Sequence, residues 1–356
     1  MKAAVYRGKN DLRVEEVPLP VAGDGELLIR VDACGVCPTD IKKIQKGLLP
    51  PPLIFGHEIC GTVAKAGAGV SRYREGERIV VHHHAPCRTC FYCRRGSYAQ
   101  CPFFKTNGTT AGFEPSGGGM AEYIRAMDFI VERGTIKVPN GVLPEEAVFV
   151  EPVNTCLKAV QKARIEKGET VLVVGQGPIG LLLLQLARWA GADTLASDTM
   201  PDRLAVSKSL GAQAALDATA VDVPGEVRAL TEGRGADCTL LAAVGPVAFA
   251  QALDATRPGG RVMVFAATSA GETAVVELGL LCMAEKEILT SYSSSADIQD
   301  LSAQLVFGRE IQVRPLVTHQ LPLESAKEAI DLAARPTPGV LKVVVRMTEP
   351  GASPSP

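Results

Sequence analysis

The chain of 356 residues lacks a charge excess of either sign, a long apolar run and an internal repeat. Its formal net charge is −2, so no basic face is expected, and nucleic acid and anionic membranes are disfavoured as partners. The longest apolar run, around Ile179–Leu184, is interrupted by Gln185 and Arg188, far short of the roughly 20 residues that span a bilayer. The first residues lead directly into charged, strand-like sequence without the apolar core of a signal peptide. These absences favour a cytoplasmic location.

The length favours two domains rather than one. With 46% hydrophobic and 21% charged residues, the composition is that of a globular protein. The ten cysteines are not expected to form disulfides in the cytosol, because thiols are kept reduced there. Half of them cluster in a way that favours metal binding, at positions 37, 87, 90, 93 and 101. The others are expected to be small buried side chains: Cys34, Cys60, Cys156, Cys238 and Cys282.

The pattern of predicted secondary structure changes near residue 150. Before it, short alternating runs such as Glu26–Val31 are separated by glycine and proline, which predicts an antiparallel, barrel-like β domain. From Val153, apolar strands alternate with helices, which predicts a parallel, doubly wound sheet. The predicted strands are Val171–Val174, Thr194–Ser197, Ala214–Leu216, Cys238–Ala242 and Arg261–Phe265. A final strand is predicted at Gly339–Val345, and the tail 349–356 is expected to be disordered.

A dinucleotide-binding motif lies in the second part of the chain. The segment Gly175-Gln-Gly-Pro-Ile-Gly180 follows an apolar strand and precedes the helical Leu181–Ala190. In such a unit the first glycine allows a tight turn, the second admits the pyrophosphate, and the third lets the helix approach the strand. Asp198, eighteen residues further on, would bind the adenosine ribose and repel a 2′-phosphate, so NAD is favoured over NADP. A glycine-rich turn without a nucleotide is the alternative.

Four cysteines lie within fifteen residues of one another: Cys87, Cys90, Cys93 and Cys101. Four thiolates suit a closed, tetrahedral structural zinc site. Neighbouring arginines, such as Arg88, would help to hold the negative charge. An iron–sulfur cluster is the alternative for a four-cysteine set.

A second set of candidate metal ligands is dispersed along the chain. Cys37 precedes Pro-Thr39-Asp40, His57 lies in Gly-His-Glu58, and Glu151 begins a Glu-Pro segment. A thiolate, an imidazole and a carboxylate could hold zinc and leave a position open for water or substrate. Taken alone, a residue such as Cys37 is more often a core cysteine, and one such as His57 is more often a hydrogen-bonded loop histidine.

Together these motifs resemble the zinc-dependent medium-chain dehydrogenase/reductase superfamily. Five segments occur in the matching order over nearly the whole chain: Cys-x-Thr-Asp, Gly-His-Glu, the four cysteines, Glu-Pro and the nucleotide motif. The resemblance implies an α/β protein in which a GroES-like β-barrel catalytic domain, residues 1–152 and 293–348, surrounds a Rossmann NAD-binding domain, residues 153–292. It also implies two zinc ions per chain, NAD, and a homodimer or homotetramer.

The resemblance assigns roles to the dispersed residues. It implies that Cys37, His57 and Glu151 bind the catalytic zinc, with Glu58 as a nearby carboxylate able to enter the coordination shell, and that the four clustered cysteines bind the structural zinc. Thr39 would pass the substrate proton outward. Where the superfamily often has a histidine five residues after the zinc cysteine, this chain has Lys42, so either lysine or water would continue the relay.

The resemblance likewise implies a set of cofactor contacts. They are Thr155, Gly175, Gly177, Pro178, Ile179, Gly180, Asp198, Arg203 and Val244. Thr155 would pack beside the nicotinamide, and Arg203 would flank the adenosine.

A glutamate as third zinc ligand is similar to the polyol (sorbitol-like) and threonine dehydrogenase branch. Hydride transfer between NAD and a secondary alcohol is therefore expected, with a polyol first, threonine or another β-hydroxy amine second, and a hydrophobic alcohol third. A zinc-free reductase of the same superfamily and a non-catalytic nucleotide-binding protein are the alternatives. His82-His83-His84 falls outside the pattern and is expected to form a solvated or hydrogen-bonding loop, with an accessory metal site as the alternative.

Overall fold

A computed structural model describes residues 1–104, 106, 108–113, 117–243, 245–265 and 273–347. The chain forms two compact units. The first unit comprises Met1–Pro152, Ser295–Arg309 and the residues from Val313 on, and the second comprises Val153–Ser294 with Glu310–Gln312. Val244, a predicted cofactor contact, and the tail 349–356 lie outside the described residues. No helix in the described ranges has the length and apolarity needed to cross a membrane.

Short strands build the first unit up to residue 137. They are β1 (Lys2–Gly8), β2 (Asp11–Glu16), β3 (Leu27–Gly35), β4 (Leu53–Ile54), β5 (Glu58–Ala66), β6 (Arg78–His82), β7 (Thr109–Thr110), β8 (Tyr123–Ala126) and β9 (Thr135–Lys137). Helices α1 (Pro38–Lys46), α2 (Asp128–Arg133) and α3 (Pro144–Ala147) lie among or after them, and α4 follows as Val150–Lys162. The pairing of β3 with β5 and of β5 with β6 is antiparallel, as predicted.

A parallel sheet forms the second unit. Its strands are β10 (Thr170–Val174), β11 (Asp193–Asp198), β12 (Ala214–Asp217), β13 (Ala236–Leu241), β14 (Thr256–Val264) and β15 (Glu287–Thr290). Its helices are α5 (Pro178–Trp189), α6 (Pro201–Ser209), α7 (Val223–Leu230), α8 (Pro246–Ala255) and α9 (Leu278–Met283). In the described part of the chain the strand order is β12-β11-β10-β13-β14-β15, that of a doubly wound dinucleotide-binding fold. The predicted α/β class is confirmed.

One expected burial in the second unit is wrong. Cys282 is exposed, whereas Cys34, Cys60, Cys156 and Cys238 are buried. The reason is that α9 presents its apolar side chains outward, since Leu278 and Met283 of the same helix are 74% and 77% exposed.

The last part of the chain carries α10 (Gln299–Phe307), β16 (Val317–Pro322), α11 (Ala326–Ala334) and β17 (Lys342–Arg346). Strand β17 joins the first unit by pairing antiparallel with β3, so that Val344 lies opposite Gly35. Along its other stretch, Leu27–Arg30, β3 pairs with β8. Because β17 sits at the carboxyl end of β3, its first residue, Lys342, lies near the point where the chain turns towards Cys37.

Candidate zinc and nucleotide sites

Three potential metal ligands converge in the first unit. The ligand atoms of Cys37, His57 and Glu58 all lie within 4.8 Å of one another, and we call these residues the buried ligand group. Cys37 is the N-cap of α1, and His57 directly precedes Glu58, the first residue of β5. His57 and Glu58 are 8% and 1% exposed. One sulfur, one ring nitrogen and one carboxylate oxygen form a donor set that suits zinc with an open position.

Asp40 orients the imidazole of this group. Its Oδ2 lies 3.1 Å from Nδ1 of His57. A proton on Nδ1 facing this carboxylate leaves Nε2 available to a metal, the arrangement found around histidine ligands. Burial lowers the pKa of His57, but the charges of Asp40 and Cys37 outweigh it and raise that pKa well above its ordinary value. Sequence analysis noted Asp40 without this role; its position three residues after Cys37, on the first turn of α1, was the available signal.

Lys342 holds the carboxylate of the group. It forms an ion pair with Glu58, and the two side chains are 5% and 2% exposed. Its Nζ also donates a hydrogen bond to the carbonyl oxygen of Val36, at 2.9 Å. Gly35 leaves room for this pair, since a Cβ there would lie 1.9 Å from Oε2 of Glu58. Burial lowers the pKa of the Lys342 ammonium, but the charge of Glu58 outweighs this effect, so the pKa is raised. Sequence analysis missed Lys342, a charge inside an apolar strand.

Glu151 lies near the buried ligand group but is not part of it. It occupies the first turn of α4 and is 8% exposed. Burial raises its pKa to about 7, and the charge of His57 opposes that rise. Its side chain lines a small cavity together with His82 and apolar residues such as Val148. The structure therefore brings Glu58, rather than Glu151, together with Cys37 and His57.

The four clustered cysteines also converge, and we call them the cysteine lobe. Their sulfurs lie within 4.8 Å of one another. Sγ of Cys87 is 3.9 Å from Sγ of Cys93 and 3.6 Å from Sγ of Cys101. These separations exceed the disulfide length of about 2.05 Å and match the roughly 3.8 Å edge of a tetrahedron with Zn–S bonds of about 2.3 Å. Hydrogen bonds from Thr89 lower the pKa of Cys87 to about 6. The lobe fits a closed structural zinc site.

The three consecutive histidines were expected to form a solvated or hydrogen-bonding loop, and Nδ1 of His84 does lie at hydrogen-bond distance, 2.7 Å, from the carbonyl oxygen of His83. That expectation is wrong for His82, which ends β6 and is 4% exposed, because the strand continues into the core. Burial lowers the pKa of His82 to about 4. His83 and His84 follow the strand and are half-buried. The ring centroid of His83 lies 4.7 Å from that of His57 and 4.1 Å from that of His84, which lies 5.3 Å from Phe104. These four rings form a row of tilted and edge-to-face contacts that begins at the buried ligand group.

The remaining residues predicted for catalysis lie on α1. Thr39 is exposed in its first turn, two residues after Cys37, and Lys42 is half-buried one turn later. Thr155, a predicted nicotinamide contact, is half-buried on α4.

The glycine-rich segment of the second unit has the geometry that its three predicted roles require. Gly175 adopts a φ of 90°, which favours glycine, directly after β10. A Cβ at Gly180 would lie 1.7 Å from the carbonyl oxygen of Gly175, so the close packing of α5 depends on its absence. At Gly177, the N-cap of α5, the nearest atom would be Nη1 of Arg203 at 3.7 Å, so this face of the turn is open. Pro178 and Ile179 form the first turn of α5.

Asp198 ends β11 beside this turn. Its Oδ2 accepts a hydrogen bond from the backbone amide of Gln176 at 2.5 Å, and its Oδ1 accepts one from Met200 at 2.9 Å. The carboxylate is therefore fixed next to the backbone that follows Gly175.

Comparison with known proteins identifies the family of each of the two parts of the chain. Residues 23–139 match the alcohol dehydrogenase GroES-like domain, and residues 178–307 match the zinc-binding dehydrogenase model. The chain is 31% identical to a sorbitol dehydrogenase of Bombyx mori over 345 residues, covering 93% of this chain and 94% of the relative. It is 29% identical to a sorbitol dehydrogenase of Bacillus subtilis (strain 168) over 353 residues, covering 97% of each.

A solved structure is similar over the same length. A protein of Sinorhizobium meliloti 1021, described as a zinc-binding dehydrogenase and bound to NADP, has a TM-score of 0.87 and 28% identity, covering 97% of this chain and 98% of that one. The chain belongs to the zinc-dependent medium-chain dehydrogenase/reductase superfamily. It is a zinc-dependent oxidoreductase of alcohols or polyols, with a nicotinamide cofactor. The predicted superfamily, fold and class of activity are confirmed.

Proposed function

We propose that the protein oxidises a secondary alcohol of the polyol class with NAD and reduces the corresponding ketone with NADH. The observation that carries the proposal is the convergence of Cys37, His57 and a carboxylate in the buried ligand group. Zinc at this position would stabilise the negative charge that develops on the substrate oxygen, and NAD would accept the hydride. The two relatives named sorbitol dehydrogenase support a polyol as the substrate.

Two carboxylates share the third ligand position in this proposal. Glu58 lies in the group but is paired with Lys342, whereas Glu151 is not in the group, although its charge interacts with those of His57 and Glu58. A carboxyl whose pKa is raised to about 7 by burial is unfavourable as a bare anion, and a bound cation is the partner that would stabilise its charge. We assign Glu151 as the third zinc ligand of the active form. Glu58 is then a carboxylate that is paired with Lys342 and able to enter the coordination shell.

Residues of α1 would move the proton. The hydroxyl of Thr39, exposed two residues after Cys37, is placed to accept the proton of the alcohol and to donate its own outward. Lys42, one turn later on the helix, or water would receive it. The proton therefore leaves along the surface of α1 and does not pass through the core.

The second unit would bind the cofactor. The open face at Gly177 and the N-terminal amides of α5 would receive the pyrophosphate, and Asp198 the adenosine ribose. Thr155 would pack beside the nicotinamide, and Arg203 beside the adenosine. In Asp198→Ser with Arg203 retained, the kcat/KM ratio of NADP to NAD should rise about tenfold or more, since a carboxylate repels the 2′-phosphate. A ratio equal to that of the wild type would show that Asp198 does not select the cofactor.

A substrate panel tests the function. Zinc-loaded protein is assayed for NADH formation with sorbitol, xylitol, L-threonine and 2-butanol, and Cys37→Ser is the control. We expect the highest kcat/KM with a polyol and none in the control. A higher value with L-threonine would favour the β-hydroxy amine alternative, and no NADH with any alcohol would refute the proposed function.

We further propose a homodimer or homotetramer in the cytoplasm. The cysteines are free thiols in the structure, as a reducing compartment requires. Size-exclusion chromatography with light scattering would give the number of chains.

A further inference from the structure

The register of β5 against β6 determines what lies beside His57. In this antiparallel pair Glu58 is opposite His82, so the next step outward brings residue 83 beside residue 57. The ring centroids of His57 and His83 accordingly lie 4.7 Å apart, with the planes tilted by 44°. His83 thus touches a predicted zinc ligand without belonging to the buried ligand group.

The ring of His83 also contacts a second ring, that of His84. The ring of His84 lies 4.1 Å away, centroid to centroid, and packs in turn on Phe104. Phe104 is buried in the core of the cysteine lobe. Confinement between two rings restricts the rotation of His83, so its nitrogens are presented in a defined direction.

One nitrogen of this confined ring is left without a partner. Nδ1 of His83 is buried and has no hydrogen-bond partner among the described residues. Buried polar atoms are nearly always paired, so this nitrogen requires a partner that the described residues do not supply, such as a water molecule or a bound ligand. The residue as a whole is only half-buried, so a molecule bound beside His57 could reach its ring.

We infer that His83 recognises a second hydroxyl of the substrate, on the carbon next to the one that is oxidised. The inference rests on the proposed function, because it takes the reacting oxygen to bind at the cation held by Cys37 and His57. An imidazole offers one donor and one acceptor in its neutral form, and a hydroxyl can pair with either. In a simple secondary alcohol the neighbouring carbon carries no hydroxyl, so it cannot form this hydrogen bond. His83 therefore makes the enzyme selective for vicinal diols within the alcohol class.

Two substitutions separate hydrogen bonding from packing. His83→Phe keeps a ring against His57 and His84 but removes both nitrogens. His83→Asn loses the ring but places an amide near the position of Nδ1. His319→Phe is the matched control, because His319 is a histidine of the same unit on β16 whose ring nitrogen Nδ1 pairs with the hydroxyl of Thr318.

The substrates are 2,3-butanediol and 2-butanol, which differ by one hydroxyl. The kcat/KM ratio of diol to mono-alcohol is measured with NAD, and dissociation constants for both alcohols are measured calorimetrically in the presence of NADH, where no oxidation can occur. We expect His83→Phe to lower both diol preferences at least tenfold, about 1.4 kcal/mol. His83→Asn should retain a larger preference than His83→Phe, and His319→Phe should match the wild type.

An unchanged diol preference in a folded His83→Phe would overturn the inference. So would a loss confined to L-threonine, which would identify an amino group as the partner. If His83→Phe does not fold, His83→Leu against His83→Asn makes the same test, since the two side chains have similar size and differ in polarity. If the wild type oxidises neither alcohol, the proposed function fails, while the calorimetric preference still tests His83.

Discussion

The buried ligand group and the cysteine lobe differ in every property that distinguishes two kinds of metal site. The lobe takes all four of its ligands from one stretch of fifteen residues, and each of the four is a cysteine. The buried group takes its ligands from Cys37 and from His57 and Glu58 twenty residues later, and a lysine from the end of the chain completes it. A local, uniform set needs only a short loop, whereas the mixed set needs the whole first unit to be folded.

The charged groups around the two sites differ as well. Around the buried group, Asp40, Glu151 and Lys342 are buried charges that have shifted pKa values, and each is within reach of His57 or Glu58. In the lobe, hydrogen bonds from Thr89 and from the amide of Cys90 reach the thiol of Cys87. Buried charges of both signs next to an incomplete donor set are typical of chemistry, whereas a complete set of sulfurs is typical of a structural role.

The largest effect should come from removing a ligand of the buried group. Cys37→Ser should lower kcat/KM by at least about 10³-fold, because the cation supplies several kcal/mol to the reaction. NADH affinity, measured by fluorescence titration, and the melting temperature should remain near the wild-type values. Substantial turnover in Cys37→Ser would contradict a catalytic role for the group.

The same kind of substitution in the lobe should act on stability instead. Cys93→Ala removes a buried sulfur that packs with Cys101 and Phe104. We expect the melting temperature to fall by at least about 5 °C, or roughly 2 kcal/mol, and kcat below the melting range to change little. Loss of activity without loss of stability would erase the distinction between the two sites.

Lys342→Met tests the ion pair that holds Glu58. Removing one partner of a buried pair should destabilise the protein by about 3–5 kcal/mol, and the double variant Lys342→Met/Glu58→Gln should recover much of that loss. The matched control is the exposed pair of Lys2 and Glu324, whose side chains are 46% and 57% exposed. Lys2→Met should leave the urea midpoint unchanged. Equal effects of the two lysine substitutions would show that the buried pair has no special role.

Glu151→Gln should give the most pH-dependent effect. Between pH 4.5, the ordinary pKa of the carboxyl, and about 7, its raised value, the folded metal-free protein binds more protons than the unfolded chain. Its stability therefore decreases as pH rises through that window, by about 3 kcal/mol if the whole shift is realised. Metal-free Glu151→Gln should be more stable than the wild type at pH 8 and equal to it at pH 4.

Urea denaturation of chelator-treated protein at the two pH values measures this difference. A wild type that is no less stable at pH 8 would contradict the raised pKa. With zinc bound the order should reverse, because the wild-type carboxylate then has a cation as its partner.

The features that could be predicted from sequence are those whose residues lie close together in the chain. The glycines of the turn lie within one short segment, and so do the four cysteines, so their spacing can be read directly from the sequence. The parallel sheet is predicted by the alternation of strands and helices. Sequence analysis could not predict Lys342, because its position beside Glu58 depends on the pairing of β17 with β3 across some 300 residues. The contact of His83 with His57 could not be predicted for a related reason, since the register of β5 with β6 places His83 beside His57. Periodicity predicts that a strand exists but not which residues it faces.

The central claim is that one cation is held by Cys37, His57 and a carboxylate, separately from the cysteine lobe. Elemental analysis of zinc in purified wild-type and His57→Ala protein, after dialysis against a mild chelator, tests it most directly. The account predicts two zinc ions per chain in the wild type and one in His57→Ala. Equal zinc content in the two proteins would contradict it.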